Sequence, residues 1–96
     1  MGEEELATAL VVEVLNPVIS RRYTVSSRKI LRAALKRGVV MRGSRAAALL
    51  KVASERGFVV DSRGRVWRLK LLRTSKEVRL AAEVVGTVEE AAQVSG

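Results

Sequence analysis

Ninety-six residues allow one domain, and with only three aromatics among the 48% that are apolar, the core has to be built from Val, Leu, Ala and Ile. The absence of Cys and His excludes disulfides, thiolate chemistry, Cys/His zinc sites and a histidine general base. The formal charge of +8 is uneven: residues 1–17 hold four acids and no base, residues 18–73 sixteen bases and two acids, and residues 74–96 two bases and four acids.

Glu3 to Leu15 is expected to be a helix. Its three glutamates suit the positive end of the helix dipole, and Leu6, Leu10, Val11, Val14 and Leu15 supply an apolar face. Asn16-Pro17 stops it, because a residue before proline is pushed out of the helical region. Arg21 to Val25 predicts a short strand. Ser26 or Ser27 then caps a second helix, about Ser27 to Arg37. Its buried face holds Ile30, Leu31, Ala34 and Leu35, and its other face Arg28, Lys29, Arg32, Lys36 and Arg37. Gly38 ends it, and Val39 to Gly43 form a turn whose apolar residues fill the corner between two steeply crossing helices.

Ser44 is the expected N-cap of a third helix. Ala46, Leu50 and Ala53 fall at i, i+4 and i+7, Leu49 widens that face, and Gly57 ends the helix. Phe58 to Val60 make a short apolar strand. Asp61-Ser62-Arg63-Gly64-Arg65 is a turn, and Val66 to Leu71 return as a second strand, with Arg68 and Lys70 alternating against Leu69 and Leu71. Thr74 and Glu77 form a capping box that predicts a further helix through Val78, Ala81, Ala82 and Val85. Gly86 interrupts it. A second box, Thr87 and Glu90, leads into Ala91, Ala92 and Val94. The apolar face of this tail is expected to pack on the first helix or on a second copy of the chain.

The run GSRAAALLKVASERGFVV followed by SRGRVWRL, with the two helices before it, resembles the winged helix-turn-helix superfamily over about residues 3–73. The resemblance implies an α+β fold: a three-helix core and a β-hairpin wing in one domain spanning residues 1–96, with residues 74–96 as an added C-terminal helical extension. The same run also looks like a winged-helix protein family of the archaeal and eukaryotic small ribosomal subunit. From that family the chain differs in its short acidic N-terminus. In a winged helix the third helix enters the major groove and the wing touches phosphate or minor groove.

A segment with sixteen bases and two acids calls for a polyanion, and nucleic acid is the commonest one. The expected contacts are Arg45 and Lys51 on the third helix with Ser44 at its start, Arg42 before it, Arg28, Lys29 and Arg32 on the second helix, and Arg63 and Arg65 at the wing tip. Ala48 and Val52 offer no hydrogen bond to a base edge, and the third helix has no Asn or Gln to read adenine. The expected partner is therefore double-stranded DNA bound through phosphates with little sequence discrimination, in a chromatin-type or transcription-associated role. RNA on the ribosome and an acidic protein partner are the alternatives. A homodimer through the terminal helices is compatible with this. Trp67 is expected in the core or in a dimer seam, and Tyr23 in the core with its polar tip outward.

Catalysis has little basis. Glu55 and Asp61 are the only acids of the basic segment, Ser44 has no activating partner, and no phosphate-binding glycine motif is present. No enzyme activity, cofactor or metal is expected. No apolar run reaches the ~20 residues of a membrane span. The start Met1-Gly2-Glu3-Glu4-Glu5 is acidic where a secretory signal is basic. A cytoplasmic, nucleoid-associated protein without membrane contact is the expectation.

Overall fold

The computed structural model describes residues 2–74 and 76–95. Among them four helices and four strands follow in the order α1 (Glu3–Leu15), β1 (Arg22–Ser26), α2 (Ser27–Lys36), α3 (Gly43–Arg56), β2 (Phe58–Val60), β3 (Arg65–Arg73), β4 (Val78–Thr87) and α4 (Val88–Ser95). The strands form one antiparallel sheet in the order β1-β4-β3-β2. The class is α+β.

Local chemistry accounts for most boundaries. α1 opens with Glu3, Glu4 and Glu5 in its first turn. Asn16 keeps helical angles (φ −49°, ψ −46°) and donates to the Val12 carbonyl, so the expected push of proline on the residue before it does not operate, and the ladder stops at Pro17, which has no N–H to donate. Ser26 caps α2, its hydroxyl accepting the Lys29 N–H at 3.4 Å. Gly57, at φ 83°, takes the left-handed conformation that ends α3. Two further details differ from the sequence reading. α3 starts two residues early: Arg42 is its N-cap, without a side-chain cap, and the Arg42 carbonyl accepts the Arg45 and Ala46 N–H groups at 3.0 and 3.1 Å. Ser44 therefore lies in the first turn. On α2, Leu35 is 64% exposed while Ala33 is buried, so the inner face centres on Ile30, Ala33 and Ala34.

The larger correction concerns the tail. Val78 to Val85, expected as helix, belong to β4. The segment carries two periods at once. Val78, Ala81, Ala82 and Val85 suit a helix, but Leu80, Ala82 and Val84 also alternate, and these three are buried. The strand wins because β1 and β3 each offer an open edge. β4 pairs with both, Arg79–Glu83 against Arg22–Ser26 on one side and Val78–Thr87 against Arg65–Arg73 on the other. The Thr74–Glu77 box becomes a turn, with Thr74 Oγ1 accepting the Glu77 N–H at 3.1 Å and the Thr74 N–H donating to the Glu77 carbonyl at 2.9 Å. The second box does cap a helix: Thr87 Oγ1 accepts the Glu90 N–H at 3.0 Å at the start of α4.

The core lies between the three long helices and one face of the sheet. Val25, Trp67, Leu69, Leu80, Ala82 and Val84 point inward from the strands and meet Leu10, Val11, Leu15, Ile30, Leu49 and Leu50. The α3 positions Ala46, Leu49, Leu50 and Ala53 are all fully buried, as their spacing predicts. On the opposite face of the sheet Arg22, Thr24, Arg68, Lys70 and Arg79 stand exposed.

Candidate nucleic-acid interface

The Asp61–Arg65 turn, expected to be a free basic tip, is bound into the base of the molecule. Asp61 is buried. Its Oδ1 accepts the Arg63 and Arg65 N–H groups at 2.9 and 3.0 Å, and its Oδ2 accepts Arg65 Nε at 2.6 Å and Trp67 Nε1 at 2.8 Å. Burial alone pushes the Asp61 carboxyl up. The bonds from the Trp67 indole, the Arg65 backbone and guanidinium and the Arg63 N–H outweigh it and hold the group below the usual carboxylate value.

Arg65 directs further donors to the end of α1 and the residues just after it. Nη1 donates to the Val18 carbonyl at 2.5 Å, and Nη2 to the carbonyls of Leu15 and Asn16 at 3.1 and 3.3 Å. α1 has no basic residue in its last turn, so Arg65 supplies the cation that its negative end favours. The guanidinium also lies 5.0 Å from the centre of the Trp67 ring. With its side chain 16% exposed, Arg65 is a structural residue, which corrects its expected place among the nucleic-acid contacts. Arg63 remains exposed, with no acid partner among the described residues.

On α3, Arg42, Ser44, Arg45 and Lys51 are all exposed, but Val52 is half-buried against the core. α1's acidic first turn reaches this helix. Glu3 pairs with Arg45 at 2.8 Å, and Glu4 with Arg56 at 3.4 Å. Two of the four bases on or next to α3 are thus matched by acids from α1, and Glu55 stands on α3 itself.

α2 differs. Arg28, Arg32 and Lys36 recur every four residues along its exposed side. Lys29 is held in place: its Nζ sits 4.0 Å above the Tyr23 ring and donates to the Thr24 carbonyl at 3.2 Å. A cleft of about 520 Å³ separates the start of α2 from the start of β4, with Arg28, Lys29, Arg32 and Arg79 on its walls beside Glu77. A second, of about 200 Å³, runs along α2 past Lys29, Arg32 and Lys36 to Glu13 and Tyr23.

The outer sheet face carries cations that the sequence reading left out: Arg22, Arg68, Lys70 and Arg79. Glu83 bridges Arg22 and Arg68 at 3.0 and 2.6 Å, and a shallow depression of about 290 Å³ lies among these residues over Ala81 and Thr24. The alternation of Arg68 and Lys70 along β3 was the available signal. Arg79 is hidden in the sequence because its segment also fits a helical period.

Among the described residues, seven of the eighteen Lys and Arg side chains pair with an acid, which leaves eleven without one. No cluster of three acids among them could hold a metal ion. No described helix is long and apolar enough to cross a membrane. Comparison with protein-family models, with curated proteins and with solved structures found no match for this chain.

Proposed function

We propose that the chain is a winged-helix protein that binds double-stranded DNA through its phosphates, with low sequence discrimination, in a chromatin-type or transcription-associated role. The observation that carries this reading is the set of eleven bases without acid partners, all but one of them within residues 18–73. Such a density of uncompensated charge is favourable only against a polyanion. The order α1-β1-α2-α3 followed by hairpins supports the fold assignment. In this reading the wing is the β3–β4 hairpin. Its far end exposes Arg73 and Lys76, whereas the Asp61–Arg65 turn is tied to α1.

Low discrimination follows from what α3 exposes. Ser44, Arg45, Ala48, Lys51 and Glu55 include no amide side chain able to read adenine. A single-stranded partner is disfavoured for want of stacking surface: Trp67 is fully buried, Tyr23 lies under Lys29, and Phe58 is the aromatic left exposed.

The test is fluorescence anisotropy with a random-sequence duplex, a single strand and an RNA hairpin, each over a salt series. Duplex preference is expected, with log K falling against log salt at a slope of about −5, the value for roughly six neutralised phosphates. Preference for the RNA hairpin would replace this reading with the ribosomal one. No binding at all would leave an acidic protein as the partner.

A further inference from the structure

We infer that the duplex is held on a belt formed by α2 and the outer sheet face rather than on α3, an inference that rests on the nucleic-acid reading above. Charge balance is the first ground. The three adjoining depressions beside α2 and on the sheet are lined by eight bases and three acids. The exposed side of α3 and its N-cap carry four bases, Arg42, Arg45, Lys51 and Arg56, and meet three acids, Glu55 with Glu3 and Glu4 of α1. A phosphate approaching α3 has to displace those carboxylates, and the nearly balanced charge there attracts it little.

Continuity is the second ground. The two clefts beside α2 share Lys29 and Arg32, and Tyr23 lines both one of them and the sheet depression. In the ladders Ser26 at the start of α2 lies opposite Arg79, and the next outward row is Thr24, Ala81 and Lys70. Cations therefore follow one another from Lys36 through Arg32 and Arg28 to Arg79, Lys70 and Arg68 without a break in the surface. Neighbouring strands are about 4.8 Å apart, so Arg22 and Arg68, two strands apart, stand about 10 Å from each other at the backbone. Glu83 lies between them and pairs with both, while the next row, Thr24, Ala81 and Lys70, has small residues beside a lysine unpaired among the described residues and lets a rounded partner settle.

The experiment compares two variants of the full chain with equal loss of charge. One is Arg28→Gln/Arg32→Gln/Lys36→Gln/Lys70→Gln, and the other Arg42→Gln/Arg45→Gln/Lys51→Gln/Arg56→Gln. Both are titrated with the same duplex over the same salt series. Because net charge changes identically, any general electrostatic effect cancels. The belt variant is expected to lose about 3 to 4 from the magnitude of the salt slope and about 100-fold or more in affinity at low salt, and the α3 variant less than about 1 and less than about tenfold. An equal or greater loss in the α3 variant would overturn the inference. Failure of the unmodified chain to bind duplex would instead remove the DNA reading on which it rests. Tighter binding of an RNA hairpin that still depends on the belt would overturn the duplex as its occupant. Should the fourfold variant lose its helical circular dichroism, the single reversals Arg32→Glu and Lys70→Glu, on different elements, apply the same test.

Discussion

At the scale of single residues, the most consequential group is Asp61. One buried carboxylate fixes the turn after β2, the Trp67 indole and, through Arg65, the end of α1. Asp61→Asn leaves the largely buried Arg65 guanidinium without its counter-charge. A loss of about 3 kcal/mol is expected, seen as a fall of roughly 15 °C in melting temperature. Because its pKa is lowered in the folded state, the carboxylate stabilises the fold at every pH above its unfolded value of about 3.9. That contribution fades as pH falls from there through the folded value. Thermal melts should therefore be flat on this account from neutrality to about pH 5, decline below about pH 4, and lose that decline in Asp61→Asn. Arg63→Ala and Arg65→Ala separate the two turn arginines. The first is expected to leave stability within about 0.5 kcal/mol, and the second to lower it by about 3 kcal/mol. The turn-shaping role of Asp61 was legible, because an aspartate accepting N–H groups two and four residues on is local chemistry. The bonds of Arg65 to Leu15 and Val18 were not, since those partners lie about fifty residues away in the chain.

At the scale of elements, β4 carries the architecture. It pairs with β3 from end to end and with β1 over half its length, Arg79 to Glu83. Its amides at Arg79 to Glu83 are expected to exchange with solvent close to the rate of global unfolding. Those of α4, whose residues Val88 to Gln93 are exposed, should exchange many times faster. Equal protection in the two would mean that the tail is held by contacts beyond Thr87. Here the sequence misled for an identifiable reason. Alanine and valine at Ala81, Ala82, Val84 and Val85 satisfy a 3.6-residue and a 2-residue period together, and T-x-x-E serves a turn as readily as a helix start. The helices α1, α2 and α3 were legible because each has a stop of its own: Asn16-Pro17, Gly38 and Gly57.

For the whole molecule, electrostatics opposes folding and invites binding. The eleven bases without acid partners repel one another, so the melting temperature is expected to rise between low salt and about 0.3 M salt as the Debye length shrinks below about 10 Å. A melting temperature that falls over that range would mean that the seven ion pairs outweigh the repulsion. The same salt weakens attraction to a polyanion, so stability and affinity should move in opposite directions along one titration.

The sequence by itself determined the three-helix core, the buried face of α3, the burial of Trp67 and the concentration of charge in residues 18–73. Each depends on periodicity, a local stop signal or a count of charges. Only the tertiary structure decided which of those charges are free. Pairing of Glu3 with Arg45, Glu4 with Arg56 and Glu83 with both Arg22 and Arg68 joins residues from 15 to 61 positions apart. Only the tertiary structure, likewise, made a strand of Val78 to Thr87, because that choice belongs to the open edges of β1 and β3 and not to the segment's own residues.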